Sequence, residues 1–110
     1  MNPITIDGEN LTIENIVAVA RNGAHVTLAP SAKKAIQRSR RWVEEIIARC
    51  DPVYGINTGF GVFSEQIIAS EDSAQLSRNL ILSHAVGTGD PLDEDVVRAA
   101  ILVRANTLAK

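Results

Sequence analysis

A mainly α fold with a small amino-terminal β element is what this 110-residue chain predicts. Three observations carry that expectation. Apolar residues recur at helical spacing in four separate segments. Short, β-prone alternation is confined to the first thirty or so residues. The segments are separated by glycine, proline and asparagine clusters that neither helix nor strand tolerates well.

The elements follow in order. Ile4, Ile6 and Leu11 flank Asp7-Gly8-Glu9-Asn10, which predicts a short strand or a hairpin. Thr12 is a natural cap for a short helix carrying Ile13, Ile16, Val17 and Ala20, with Asn22-Gly23 as its stop. His25-Val26-Thr27-Leu28 is a second β-prone stretch, and His25 receives no functional role. Pro30 suits the first position of a helix, where its missing N–H is no loss, and the helix is expected to reach about Cys50. Its apolar stripe is Ile36, Val43, Ile46, Ile47 and Cys50, with Trp42 at the edge, and Arg41–Glu45 and Glu45–Arg49 are expected as pairs one helical turn apart. Asp51-Pro52 ends it. Another helix is predicted over about Ser70–Ala85 with Leu76, Leu80 and Ile81 on one face. Gly87-Thr88-Gly89-Asp90-Pro91 breaks the chain again, and Asp93, Glu94 and Asp95 place negative charge where a helix dipole favours it. The last helix runs from Val96 to at least Leu108, with Val97, Ala100, Ile101, Arg104 and Leu108 as its stripe.

Composition narrows the function classes. Hydrophobic residues at 45% and charged residues at 22% are ordinary for a globular protein and argue against disorder. The length fits a single small domain over residues 1–110. A net charge of -2 argues against nucleic acid as the main partner, and the basic run Lys33, Lys34, Arg38, Arg40, Arg41 reads as a solvated helix face. Cys50 is the only cysteine, so no intrachain disulfide forms; it is expected as a buried thiol, and no Cys/His cluster suggests a metal site. The start lacks a signal-peptide pattern, and no apolar run approaches a membrane span, so a cytoplasmic chain without a membrane partner is the default. No glycine, asparagine or proline follows the last helix, which predicts either a frayed end or a natural protein that continues and of which this is a piece.

The most specific segment is Tyr54-Gly55-Ile56-Asn57-Thr58-Gly59-Phe60-Gly61. It is not a P-loop, because Val62-Phe63 follow the last glycine, and neither glycine cluster completes a dinucleotide fingerprint. A rigid glycine loop with a tyrosine at its mouth suits presentation of one phenol to a ligand; a tight turn with a packed tyrosine is the alternative. The second feature is Ser83-His84. A histidine there could read a ligand by donating or accepting, or could simply sit at a helix end where the dipole favours its cation.

Together these segments resemble the aromatic amino acid ammonia-lyases and aminomutases, and among them the histidine-specific members. The resemblance begins with the tyrosine loop. It continues through Gln75-Leu76-Ser77-Arg78-Asn79-Leu80-Ile81-Leu82-Ser83-His84-Ala85-Val86-Gly87-Thr88-Gly89 and the helix Arg98–Lys110. It implies that Tyr54 is the general base for the substrate β-proton or its close partner. It also implies that Ser83 and His84 read the substrate side chain, with Gly61 among the substrate-binding residues. The implied reaction eliminates ammonia from L-histidine, or from a related aromatic amino acid, to give an α,β-unsaturated acid. The implied electrophile is a 4-methylidene-imidazol-5-one that the protein makes from its own Ala-Ser-Gly, and the implied assembly is a homo-oligomer, a tetramer in the family. This chain has only Ala69-Ser70, followed by Glu71, so it holds no precursor of that group and is expected to be inactive alone. A phenol acts as a base only where positive charge or fixed donors stabilise its anion; the sequence does not identify them. Alternatives are a non-catalytic ligand-binding or assembly module derived from the family, a tyrosine or phenylalanine ammonia-lyase or aminomutase fragment, and a purely structural helical domain.

Overall fold

The computed structural model describes residues 2–110 and is mainly helical with one small sheet. Strand β1 spans Ile4–Ile6 and β2 spans Val26–Leu28; between them lies helix α1, Ile13–Ala20. Helix α2 is Pro30–Arg49, α3 is Ser73–His84 and α4 is Glu94–Leu108. The mainly α expectation with a minor β element near the start therefore holds.

The hairpin alternative does not. β1 and β2 pair in parallel, with Ile4 opposite Val26, Thr5 opposite Thr27 and Ile6 opposite Leu28. Parallel strands require a crossover, and α1 supplies it. Asp7-Gly8-Glu9-Asn10 does turn the chain, but into a helix cap. The Asp7 carboxylate accepts the backbone N–H groups of Glu9 and Asn10, each at 2.9 Å. Thr12 then closes a reciprocal cap with Asn15, whose N–H donates to the threonine hydroxyl while its side chain accepts from the Thr12 N–H.

Contacts sort the chain into two compact groups of residues, 1–39 with 90–110, and 40–89. In the first, α1 packs on α4, and Arg21 donates to Asp95 at 2.9 Å. The core here is built largely from small residues: Ala20, Ala24, Ala29, Ala32 and Ala109, with Ile6 and Leu102 as the larger members. Ala29, Ala32 and Ala109 form one cluster, so the carboxyl end of α4 is seated rather than frayed. Gly8 sits against the Lys110 backbone at a positive φ of 94°, and its N–H donates to Asn106 Oδ1 at 3.0 Å; a Cβ there would lie 2.5 Å from the Lys110 Cα, so only glycine fits.

α4 presents a different face from the one its spacing suggests. Leu102 is buried at 4% exposure, while Ile101 and Leu108 remain 65% and 61% exposed. The helix is apolar around most of its circumference, so tertiary packing and not periodicity chooses the inner face.

In the second group, α2 contributes Ile46 to the interior with Val43 and Ile47 half-buried. Its ion pairs are offset from expectation: Arg40 holds Glu44 at 2.8 Å, and Arg49 turns to Asp51 at 3.1 Å. Cys50, expected as a buried thiol, is exposed. It follows the last residue of α2 and takes the left-handed conformation, φ 56°, with which helices commonly end, so its side chain leaves the apolar stripe. A 3-10 turn, Ser70–Asp72, precedes α3, shortening the predicted helix at its start; Leu76 and Leu80 are half-buried, whereas Ile81 is exposed.

Candidate functional site

The tyrosine loop begins where α2 stops and ends at Ile68. Asn57 holds it together. This is the largest fully buried side chain described, at 2% exposure. Its Oδ1 accepts the Val53 N–H at 2.9 Å and its Nδ2 donates to the Asp51 carbonyl at 2.8 Å. Its own carbonyl accepts the Ile68 N–H at 2.8 Å, which ties in the returning strand of the loop. Thr58 bridges Ile67 in antiparallel fashion, and the Gly59 N–H donates to the Gln66 carbonyl at 2.9 Å. The return is so close that a Cβ on Gly59 would lie 2.5 Å from the Phe63 carbonyl oxygen.

On that frame Tyr54 stands out into solvent, 62% exposed. Two groups touch its ring end. Phe60 meets it edge-on, with ring centroids 5.7 Å apart at 73°. The Gly61 N–H lies 3.5 Å from the phenol oxygen and directs a donor at it. Gly61 itself has φ 57° and open space around its Cα. The loop thus brings two of the expected site residues, Tyr54 and Gly61, together, and the nearest fixed donor to the phenol is a backbone amide.

Ser83 and His84 form the second pair, in the last turn of α3. The Ser83 hydroxyl donates to the Leu80 carbonyl at 2.8 Å and lies 3.0 Å from His84 Nδ1; that nitrogen is also 2.9 Å from the Leu80 carbonyl. A carbonyl oxygen can only accept, so a proton on Nδ1 suits the Leu80 contact, and in that neutral tautomer Nε2 is left as an acceptor. Among the described residues no hydrogen bond joins this pair to Tyr54 or Gly61.

A groove of about 760 Å³ within residues 40–89 is lined by Val43, Ile47, Ile56 and Ser73, among others, and neither Tyr54 nor His84 lines it. The candidate chemistry lies on open surface instead. Ala69 is followed by a 3-10 turn, Ser70–Asp72, with Glu71 where the expected electrophile precursor has glycine. Among the described residues no cluster of His, Cys, Asp and Glu could hold a metal ion, and no helix is long and apolar enough to cross a membrane. Sequence reasoning missed Asn57. Its signal was present, a polar residue able to donate and accept, set between two glycines of a tight loop.

The family model described as aromatic amino acid lyase matches residues 11–110. The chain is 50% identical over 109 residues to histidine ammonia-lyase of Treponema denticola, covering 99% of this chain and 22% of that protein. It is 51% identical over 110 residues to histidine ammonia-lyase of Caldanaerobacter subterraneus subsp. tengcongensis, again 22% of that protein's length. Among solved structures, tyrosine aminomutase from Streptomyces globisporus superposes with a TM-score of 0.89 at 35% identity, over 98% of this chain and 20% of the aminomutase. The chain thus spans about one fifth of the length of the curated relatives it matches. With the family model covering nearly all of it and identity near 50% sustained from end to end, the chain belongs to the aromatic amino acid lyase family.

Proposed function

We propose that this chain forms the amino-terminal part of a histidine ammonia-lyase, contributing the Tyr54 loop and the Ser83-His84 pair to an active site that polypeptide outside it completes. The observation that carries the reading is the Tyr54 loop itself. It spends a buried asparagine and a close-returning glycine to hold a phenol out in solvent beside a backbone donor. A merely packed tyrosine has no need of such a frame.

In this reading Tyr54 receives the substrate β-proton or passes it to the group that does, and Gly61 keeps its backbone open beside the substrate. His84 reads the substrate side chain. Its tautomer favours histidine, because a free Nε2 accepts from an imidazole N–H, which a phenyl ring lacks. The methylidene-imidazolone that the resemblance implies would supply an electrophile for the substrate amine. This chain has no Ala-Ser-Gly from which to make it, and by itself it should be inactive. The exposure of Tyr54 and His84 agrees with a site closed by other chain segments, drawn in the oligomer from more than one subunit.

The test joins the chain to the remaining four-fifths of a family member. The 110-residue chain alone should release no urocanate from histidine, and the completed lyase should. In the latter, Tyr54→Phe should lower kcat by about 10²–10⁴-fold, the usual worth of a general acid or base. His84→Leu should shift preference from histidine toward apolar amino acids. Turnover by the chain alone, or an unchanged kcat for Tyr54→Phe, would refute the assignment.

A further inference from the structure

We infer that Asn57 is the positioning residue that fixes the Tyr54 phenol, acting through the backbone on both sides of the loop. The inference rests on the role proposed for Tyr54. Little packing holds the tyrosine ring directly: it is largely exposed, with one edge against Phe60 and one amide near its oxygen. Its placement must come from its backbone. That backbone is anchored one residue away, at Val53, whose N–H donates to Asn57 Oδ1 and whose carbonyl accepts the Asn57 N–H at 3.3 Å. The same side chain reaches back to the Asp51 carbonyl, and the Asn57 carbonyl holds Ile68 on the far side. One residue therefore ties the start of the loop to its end, and with it the chain carrying Tyr54 to the chain carrying Gly61.

The chemistry needs asparagine specifically. The position asks for one acceptor toward an N–H and one donor toward a carbonyl, made by a side chain that is itself buried. An amide supplies both without charge. Alanine would leave the part-buried Val53 N–H and Asp51 carbonyl without these partners, and a carboxylate would set a second acceptor against the Asp51 carbonyl.

The chain has a single tyrosine, so its ring signals in an NMR spectrum report Tyr54 alone. In the 110-residue chain, cross-peaks from that ring to Phe60 and to the Gly61 amide should be present and should vanish in Asn57→Ala. Leu102→Ala, which weakens the other group of residues, should keep them, and so separates positioning from lost stability. Asn57→Asp should lack the cross-peaks when ionised and regain them on acidification, because a protonated carboxyl both accepts and donates. In the completed lyase, Asn57→Ala should lower kcat by up to about 100-fold, as a small misplacement of a reacting group can, with KM changed far less. Cross-peaks retained in Asn57→Ala, or in ionised Asn57→Asp, would overturn the inference, as would a fall in kcat matched by the loss of folded protein. An unchanged kcat for Tyr54→Phe would instead remove the functional reading, leaving the ring signals to decide whether Asn57 positions the tyrosine.

Discussion

Asp7 shows how much one exposed carboxylate can organise. The Asn10 side-chain amide, followed by the backbone N–H groups of Asn10 and Glu9, lowers its pKa from 3.8 to about 2. These donors stabilise the charged form, so the folded value lies below the unfolded one. The contribution of the turn is therefore complete above about pH 4 and is lost as pH falls through about 2. Asp7→Asn should remove that segment of the pH dependence. An NMR titration of the Asp7 carboxyl carbon, with unfolding midpoints on either side of the window, checks both halves; a carboxyl that titrates at its ordinary value would contradict the turn. Asp95 is shifted in the same direction, chiefly by its hydrogen bond from Arg21, and because Arg21 is largely exposed the pair adds to the acid sensitivity only weakly.

Among the elements, α4 gives the sharpest contrast between neighbouring side chains. Leu102 lies in an interior otherwise made mostly of alanine, so its removal leaves a cavity that small neighbours cannot fill. Leu102→Ala should cost about 2–5 kcal/mol in chemical denaturation, while Ile101→Ala, one residue away and mostly exposed, should cost little. Equal losses would mean that the helix is rotated from the position described. The starts and stops of elements were legible in the sequence because they are local chemistry: Thr12 capping α1, Pro30 opening α2 and Asp51-Pro52 closing it. What was not legible depends on tertiary choice. Val96, Val97, Ile101, Leu102 and Val103 offer more apolar surface than one face of α4 can bury. Arg40 and Arg41, opposite Glu44 and Glu45, allow two sets of pairs one turn apart, and only packing selects Arg40–Glu44. The parallel partner of β1 lies beyond a helix, out of reach of any turn pattern. At the candidate site, residue type and spacing singled out the tyrosine loop and Ser83-His84, while the roles of Tyr54, Gly61, Ser83 and His84 came only from the family resemblance. The tautomer of His84 and the staple at Asn57 needed coordinates, because each is defined by a carbonyl that sequence does not locate.

For the molecule as a whole, the exposed apolar residues are the telling feature. Val97, Ile101 and Leu108 on α4, with Ile81, Leu82 and Val86 at the end of α3, leave large side chains in water. Covering a single leucine or isoleucine is worth roughly 1.5–3 kcal/mol, so a few such positions are enough to favour association. In a family member the other four-fifths of the polypeptide is available to cover them; in the isolated chain only further copies are. The 110-residue chain should therefore self-associate, its mass by light scattering rising with concentration. Ile101→Lys or Leu108→Lys should shift it toward monomer without the stability loss of Leu102→Ala. A constant monomer mass across the series would show that these side chains are tolerated in water.

The contact between Gly8 and the end of α4 bears on the order in which the chain acquires structure during synthesis. The Gly8 N–H finds Asn106 across 98 positions, and the group of residues to which both belong is interrupted by residues 40–89. A ribosome adding about 5–20 residues per second takes roughly 3–10 s to pass through that interruption. Until that interval ends α1 lacks the helix it packs on, while the Tyr54 loop and its asparagine staple draw only on residues 51–68, all made before α4. The candidate site segment is thus able to mature first, and the amino terminus last.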